Sequence, residues 1–359
     1  MEPTLDPCAL ARIGWRADDA GLTGSLAEGR RLARVVEQHR SGYRVDVGDA
    51  VFAVAAPAAM VRAGVDPRTR PAVGDWVVLA PGRPPRLERL LPRRSLLVRA
   101  AAGERHAAQL IAANVDVVFV VCGLDDDFNL RRLERYLLLV EGSGALPVVV
   151  LSKADKAPDA DARRREVERL APGAVVLAVN AKDPATAEAL APYLRPGSTA
   201  VLVGSSGAGK STLTNTLLGI EKQKTAEVRA ADSRGRHTTV HRALIPLPAG
   251  GCLIDTPGMR ELKLTGAEDL DAGQFADIAE LAAGCRFRDC AHAAEPGCAV
   301  RAALAQGRLE RGRWDNWVKL QGELTVARDS LAAQQVRKRH EKTLTRGPGK
   351  RLTDKYGSR

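Results

Sequence analysis

The stretch Gly204-Ser205-Ser206-Gly207-Ala208-Gly209-Lys210-Ser211 decides the fold, because it matches the pattern GxxxxGK[ST]. It follows an apolar run at residues 200–203 and opens a helix-like segment at residues 211–218. A glycine-rich loop between a strand and a helix points backbone N–H groups at phosphate oxygens, and the helix N-terminus adds positive potential. We therefore predict a P-loop whose residues, together with Thr212, bind the phosphates of a nucleotide.

The residues around this loop indicate the phosphate end of the site. Lys210 is expected to reach the β- and γ-phosphates, and Ser211 to bind Mg²⁺. Asp255-Thr256-Pro257-Gly258 follows an apolar run and begins 45 residues after Lys210. At that spacing we expect Asp255 to hold Mg²⁺, directly or through water, and Gly258 to offer its N–H to the γ-phosphate.

A polar, glycine-containing segment at residues 232–241 lies between these two motifs. This position suits a loop that senses the γ-phosphate, and Thr238 or Thr239 is expected to coordinate Mg²⁺ there. Many GTPases orient the attacking water with a Gln after the DxxG glycine, but here that position is Met259. His237 is therefore our candidate for the group that orients the water.

The motif that reads the base lies upstream of the P-loop. GTPases recognise guanine with an NKxD string after a later strand, and nothing downstream of Gly258 supplies one. Ser152-Lys153-Ala154-Asp155 follows the apolar residues 148–151. Asp155 can accept hydrogen bonds from guanine N1 and N2, and the stem of Lys153 can cover the base. Asn180-Ala181 follows the next strand-like run, where a backbone N–H can meet guanine O6.

The motif order predicts a circularly permuted GTPase domain. Apolar runs at residues 115–121, 146–151, 175–179 and 200–203 alternate with helical segments such as 129–139. Such alternation is typical of an α/β fold with a mainly parallel sheet. Since chain termini usually lie close together on a domain surface, relocating them keeps the same sheet.

Two further segments flank this α/β region. Residues 24–99 contain regularly spaced short apolar runs, which favour an OB-type barrel of about five strands; a structural β-domain without oligonucleotide binding is the alternative. Near the C-terminus, Cys285, Cys290, His292 and Cys298 supply three thiolates and one imidazole within 14 residues. Four such ligands suit one tetrahedral, structural Zn²⁺.

Composition bounds the remaining possibilities. The formal net charge of the 359 residues is +11, and residues 332–359 carry nine Lys/Arg against two Asp/Glu. Such a basic tail is typical of arms that bind nucleic acid, although a solvated tail is the alternative. No apolar run reaches membrane-spanning length, and the few cysteines do not form a disulfide framework. We expect a cytoplasmic protein, a monomer that does not bind membranes.

The motif order, the RGRHTT string (residues 234–239), the DTPGMREL string (residues 255–262) and the Cys/His cluster resemble the ribosome small-subunit-dependent GTPase A (RsgA) family. The resemblance covers roughly residues 24–330. It implies an OB-fold, a permuted GTPase domain and a zinc-binding C-terminal domain. It also implies hydrolysis of GTP to GDP and phosphate, stimulated by the small ribosomal subunit and its rRNA during late maturation. The same resemblance points to His237 and to the four zinc ligands.

The resulting division of the chain has five parts. They are an N-terminal extension (1–23), the OB-type barrel (24–99), the permuted GTPase domain (100–266), a helical zinc-binding domain (267–331) and the basic tail (332–359). Two residues depart from the family pattern: Ser152 stands where Asn or Thr is usual, and Asn180 where Ser is usual. The shorter Ser152 side chain is expected to make fewer contacts to the base and the P-loop.

Two other functions remain open from the residues alone. A P-loop kinase acting on a small metabolite would transfer phosphate to its substrate rather than to water. A non-enzymatic nucleic-acid binder with a degenerate nucleotide site would bind RNA equally well with GTP or GDP.

Overall fold

A computed structural model provides the fold of the chain. The residues that it describes are 7–16, 19, 21, 26–39, 42–62, 65–100, 108–220, 242–256, 263–270 and 273–346. The strands are β1 (Arg31–Gln38), β2 (Tyr43–Asp46), β3 (Val51–Val54), β4 (Trp76–Ala80), β5 (Arg86–Leu90), β6 (Leu96–Ala100), β7 (Ala108–Ala113), β8 (Val117–Gly123), β9 (Leu146–Ser152), β10 (Val175–Ala178), β11 (Thr199–Gly204), β12 (Ala243–Pro246) and β13 (Cys252–Asp255).

The helices are α1 (Pro7–Arg12), α2 (Ala58–Val61), α3 (Leu130–Glu141), α4 (Ala160–Leu170), α5 (Ala185–Leu190), α6 (Lys210–Leu218), α7 (Ala276–Ala283), α8 (Ala299–Ala305) and α9 (Arg311–Arg346). Short 3₁₀ turns cover Pro67–Thr69, Ala154–Lys156, Ala191–Tyr193 and Gly273–Phe275. None of the helices in the described ranges is both long and apolar enough to cross a bilayer.

The central sheet is mainly parallel, as the alternation of apolar runs and helical segments predicts. Strands β10, β9, β8, β11 and β13 lie side by side and parallel, and β12 pairs antiparallel with β13. Strand β8 is buried along its whole length, as is β11, because helices cover both faces of the sheet. The carboxyl ends of β8, β9, β11 and β13 therefore meet at one edge, where ligands bind in such sheets.

The N-terminal strands form an antiparallel sheet in the order β3-β2-β1-β4-β5. Its inner side chains include Val35, Val45, Val77 and Leu79. Strand β1 also meets β12 at the pair Glu37 and Ala243, so this sheet continues into the GTPase sheet. Among the described residues β3 does not pair with β5, and closure into the predicted OB-type barrel is therefore not confirmed.

Most predicted elements agree with the structure to within a few residues, but β5, β6, β7 and β12 were not predicted. Strand β6 pairs with β7, so this hairpin crosses the predicted boundary between residues 99 and 100. The predicted extension also contains buried side chains, since Leu10, Ile13 and Trp15 pack against the N-terminal sheet.

One arginine, Arg34, joins the N-terminal segment, the N-terminal sheet and the GTPase sheet. Arg34 on β1 is fully buried, and its guanidinium lies 5.1 Å from the centre of the Trp76 ring. Its nitrogens donate to the carbonyl oxygens of Ile13, Gly74 and Asn114 and to the Thr199 hydroxyl. These acceptors belong to the α1 region, the turn before β4, the β7–β8 connection and the start of β11. Burial lowers the pKa of Arg34.

The C-terminal part packs on α3 and on the sheet core. Trp314 and Trp317 are buried, and their rings stack with centroids 5.0 Å apart. Leu320 and Leu324 continue this buried face along α9. The long helix α9 thereby anchors the segment that carries the Cys/His cluster.

Candidate nucleotide and zinc sites

The P-loop takes the conformation that its glycines permit. Gly204 has a φ of +146°, and a Cβ there would lie 2.1 Å from the carbonyl oxygen of Val121 on β8. Gly209 precedes α6 with a φ of +94°, and a Cβ there would lie 3.2 Å from the Ser152 hydroxyl. Side chains at these positions would be strained or would displace a neighbour. The loop can therefore present its backbone at the edge of the sheet.

Lys210 begins α6 and folds back over the loop. Its ammonium donates to the carbonyl oxygens of Gly204, at 2.8 Å, and Ser205. Burial lowers the pKa of Lys210, whereas the carboxylates of Asp127 and Asp255 act to raise it. The ammonium is thus held where the predicted phosphates would lie. Ser211 is exposed on the first turn of α6, so its hydroxyl is accessible to a cation.

Ser152 connects the predicted base-reading segment to the P-loop. The residue ends β9 and is fully buried, and its hydroxyl donates to the Ala208 carbonyl oxygen at 2.5 Å. Although Ser is shorter than the usual Asn or Thr, it still reaches the P-loop. The two segments, 56 residues apart in sequence, are therefore fixed relative to each other at the edge of the sheet.

The other base-reading candidates lie around Ser152. Lys153 has a φ of +61°, and its ammonium donates to Asp125 at 2.5 Å, which lowers the pKa of Asp125. Asp155 is exposed in the 3₁₀ turn that follows β9. The Asn180 carbonyl accepts from Thr186 at 2.6 Å, and the Ala181 carbonyl from the P-loop helix residue Thr216 at 2.6 Å.

The structure describes only some of the predicted magnesium and catalytic residues. Asp255 ends β13, which lies beside the P-loop strand β11, so its carboxylate is at the same sheet edge as Lys210. The predicted residues His237, Thr238, Thr239 and Gly258 lie outside the described residues.

Asp127 is a site residue that our sequence interpretation missed. Asp127 does not cap α3, because Asn129 does so by accepting from the Arg132 N–H at 2.9 Å. The Asp127 carboxylate instead accepts from the Ser205 hydroxyl in the P-loop, with oxygen distances of 2.6 and 2.5 Å. The sequence signal that could have identified Asp127 as a site residue was its position just after β8, at the sheet edge where the P-loop begins.

The Cys/His cluster has the dimensions of a tetrahedral zinc site. The ligand atoms of Cys285, Cys290, His292 and Cys298 lie within 4.8 Å of one another. His292 Nδ1 is 3.5 Å from the Cys285 sulfur and 3.4 Å from the Cys298 sulfur, and these two sulfurs are 3.9 Å apart. Tetrahedral zinc would place sulfur pairs about 3.8 Å apart and sulfur–nitrogen pairs about 3.5 Å apart. The separations among Cys285, His292 and Cys298 match these values, and the Cys290 sulfur lies close enough to be the fourth ligand.

The backbone around the cluster is shaped to bring these ligands together. His292 adopts a φ of +58°, and the Cys298 sulfur accepts from the Arg301 N–H at the start of α8. The Glu295 carboxyl accepts from its own backbone N–H and from three other backbone N–H groups of the same loop, which lowers its pKa. The His292 ring also packs edge-on against Trp314, with centroids 5.6 Å apart. The cluster is thus tied to α9.

Comparison with known proteins gives consistent matches along the chain. A model described as RsgA GTPase matches residues 90–265. The protein named small ribosomal subunit biogenesis GTPase RsgA from Xanthomonas axonopodis pv. citri is 57% identical over 352 residues, which cover 97% of this chain and 95% of the relative. The protein of the same name from Xanthomonas campestris pv. campestris (strain B100) is 57% identical over 321 residues, covering 89% of this chain and 86% of the relative.

Two solved structures resemble the fold. YjeQ from Thermotoga maritima superposes with a TM-score of 0.59 at 26% identity, covering 82% of this chain and 99% of that chain. YloQ, described as a circularly permuted GTPase, superposes with a TM-score of 0.56 at 25% identity, covering 84% of this chain and 96% of that chain.

Proposed function

Because this chain belongs to the RsgA GTPase family, and is therefore a GTP hydrolase, we propose that it binds the small ribosomal subunit, acts in its late maturation and hydrolyses GTP faster when bound there. Its relatives at 57% identity are named for small ribosomal subunit biogenesis. The observation that carries the nucleotide part of the proposal is the Ser152–Ala208 hydrogen bond, which fixes the base-reading segment against the P-loop.

The phosphates lie along the P-loop, bound by its backbone N–H groups and by Lys210. Ser211 and Asp255 hold the Mg²⁺ that accompanies GTP, as their places at the sheet edge support. Thr238 or Thr239 completes that coordination, and the Gly258 N–H contacts the γ-phosphate. His237 orients the water that attacks the γ-phosphorus, and the bond to the β-phosphate oxygen breaks to give GDP and phosphate.

Guanine lies beyond the α-phosphate end of the loop, against Lys153, Asp155, Asn180 and Ala181. The exposure of Asp155 supports this placement, because its carboxylate is accessible to the N1 and N2 groups of a base. Adenine has no matching pair of donors, so this site selects GTP over ATP.

Three regions contact rRNA. The N-terminal strands act as an OB-type barrel, supported by their order around β1 and by exposed Arg83, Arg86 and Arg89 on or beside β5. The zinc segment presents Arg286, Phe287 and Arg288, all exposed. The basic tail at residues 332–359 supplies the third contact. Arginine binds phosphate, and an exposed aromatic ring can stack on an unpaired base.

One zinc ion holds the C-terminal segment. With three cysteines and one histidine, every tetrahedral position is filled by protein, so the site is structural rather than catalytic. The protein acts as a cytoplasmic monomer whose affinity for the subunit depends on the bound nucleotide: GTP favours the bound state and hydrolysis favours release.

The test is phosphate release from GTP and from ATP, with and without isolated small ribosomal subunits. We expect slow turnover of GTP, a strong increase with the subunit, and no turnover of ATP. His237→Ala should lose the stimulated turnover while retaining GTP binding, because the residue acts on water rather than on the nucleotide.

Other outcomes would contradict separate parts of the proposal. Turnover of GTP that ignores the subunit would remove the ribosomal partner and leave the GTPase in place. Equal use of ATP would contradict the base-reading assignment. Transfer of phosphate to a metabolite rather than to water would support a kinase instead.

A further inference from the structure

We propose that helix α3 couples the docking of the C-terminal helix α9 to the P-loop, so that contacts between α3 and α9 set the affinity for guanine nucleotides. Hydrogen bonds at the start of α3 connect it to the P-loop, and hydrogen bonds from other residues of α3 connect it to α9. The inference requires nucleotide binding only and is independent of the ribosomal partner.

The first link joins the P-loop to the start of α3. The Ser205 hydroxyl donates to the Asp127 carboxylate, and Arg132 in the first turn of α3 donates to the same carboxylate. The Gly123 N–H at the end of β8 adds a third donor to Asp127, at 3.3 Å. Asp127 thus ties a P-loop side chain, a strand end and a helix to one point, and we assign it as a positioning residue.

The second link is a buried carboxylate on α3. Glu134 is fully buried, and its two oxygens accept from Arg313 at 2.6 Å and from Asn316 at 2.6 Å, both on α9. Arg131 adds a third donor at 2.9 Å. Loss of the Arg313 side chain while α9 stays packed would leave this carboxylate buried with only part of its compensation, which is strongly unfavourable. The α3–α9 contact therefore has one well-defined docked arrangement.

The third link consists of two ion pairs whose side chains are more exposed to solvent than Glu134. Arg135 of α3 makes a bidentate pair with Glu323 of α9, at 2.7 and 2.6 Å, and Arg131 donates to Glu310, just before α9, at 2.6 Å. The Arg135 and Glu323 side chains are 25% and 35% exposed. These pairs can be removed without leaving an isolated charge in the interior, so they provide mild ways to loosen the docking.

Helix α3 is suited to carry such a coupling. Its twelve residues form little more than three turns, and Leu133, Leu137, Leu138 and Val140 are buried against the sheet and its neighbours. A packed helix moves as a unit rather than bending locally. Because coupling between binding equilibria is reciprocal, nucleotide binding must in turn alter how firmly α9 docks.

The experiment is a double-mutant cycle in GDP affinity, measured on the full-length protein by titration with a fluorescent GDP analogue. Glu323→Ala removes the α3–α9 pair, and Ser205→Ala removes the P-loop link without changing any charge. We expect Glu323→Ala to weaken GDP binding at least about threefold in the native background. In the Ser205→Ala background the same change should have less than about half that effect, because the link to the P-loop is already broken.

A matched control comes from the same helix. Arg311→Ala removes an ion pair with Asp315 that lies within α9, at 3.1 Å, and it should leave GDP affinity unchanged. Glu310→Ala repeats the test at the Arg131 pair if Glu323→Ala impairs folding, which thermal melting reports. An unchanged or increased affinity in Glu323→Ala and Glu310→Ala overturns the proposal. If Glu323→Ala weakens GDP binding equally in the native and Ser205→Ala backgrounds, the proposal is also overturned, because the effect would then not depend on the Ser205–Asp127 contact.

Discussion

At the scale of single residues, the Ser152 side chain is short, yet its hydroxyl makes a hydrogen bond to the P-loop. Its place at the end of β9 brings it within 2.5 Å of the Ala208 carbonyl, so no longer side chain is needed to reach the P-loop. A Cβ on Gly209 would come within 3.2 Å of the same hydroxyl, so the neighbouring glycine provides the necessary space. Ser152 and Gly209 therefore depend on each other.

Asp155 carries the first prediction, which concerns base selectivity. Asp155→Asn should weaken GTP binding about 100-fold, because a charge-assisted pair of hydrogen bonds to guanine is lost. Binding of xanthosine triphosphate should improve, since an amide can donate to the O2 of xanthine. Equilibrium titration with both nucleotides checks this.

Asp159→Asn is the matched control, because Asp159 lies four residues away beside α4 and pairs with Arg163 instead. Its GTP affinity should match that of the native protein. A parallel loss of affinity for both nucleotides in Asp155→Asn would show that the residue supports the fold rather than reads the base.

Motifs supplied the predicted residues of the candidate site, but Asp127 shows the limit of such prediction. The P-loop and the Ser152-Lys153-Ala154-Asp155 string have spacings that few other functions require. Asp127 belongs to no such string, and its contact with Ser205 spans 78 positions of the chain. The pairing of β8 with β11 creates this contact, so it could be found only once the sheet order was known.

At the scale of elements, we expect the segment that carries the Cys/His cluster to depend on metal binding for its folding. Helices α7 and α8 have eight and seven residues, too few to bury much apolar surface alone. The ligands lie in the loop between these helices, and Cys298 is the cap of α8. Zinc binding should therefore contribute directly to the folding of this segment.

The second prediction is that the purified protein contains about one zinc per chain by elemental analysis. Cys298→Ser should reduce that content to near zero and shift the emission of Trp314, whose ring lies against His292. The variant should still bind GTP, because its P-loop and base-reading residues are unchanged.

Cys8→Ser provides the control, since Cys8 is exposed and is not part of the cluster. Its zinc content should equal that of the native protein. A native protein that holds no zinc after purification without chelators would contradict the assignment.

Strands and helices were predictable to different degrees. The runs that form β8, β9 and β11 are almost entirely apolar, because both faces of a parallel sheet are covered, and such runs are easily recognised. Strand β5 lies at the edge of its sheet and has the sequence Arg-Leu-Glu-Arg-Leu. Because three of these five residues are charged, its composition resembles that of a loop. The short helix α1 has only six residues and no periodic pattern to detect.

At the scale of the whole molecule, the permutation was predictable and the barrel was not confirmed. Each nucleotide-binding motif follows its own strand, so the order of the motifs along the chain shows that the chain ends of the GTPase domain have been relocated. Closure of a barrel depends on pairing between β3 and β5, and short edge strands carry no sequence signal for their partners. The described residues contain no such pairing.

The third prediction concerns Arg34, which joins the N-terminal segment, the N-terminal sheet and the GTPase sheet. Arg34→Met should lower the free energy of unfolding by about 2–4 kcal/mol, because buried carbonyl groups lose their donors. Urea denaturation followed by tryptophan fluorescence checks this, since Trp76 lies against the guanidinium.

Arg44→Met is the control on the same sheet. Arg44 is 45% exposed and pairs with Glu37 at the surface, so its loss should cost less than about 1 kcal/mol. Equal stabilities of the two variants would mean that Arg34 does not hold the three parts together.

The strand order has a consequence for the chain while it is being made. Strand β8 leaves the ribosome that synthesises it 76 residues before its neighbour β11, a delay of roughly 4 to 15 s at ordinary rates of translation. During that interval one edge of a wholly apolar strand lacks its partner and can pair with another nascent chain. A product truncated after Ala181 and before β11 would carry the proposed base-reading segment without a P-loop. Premature termination should therefore yield aggregates rather than a partly active enzyme.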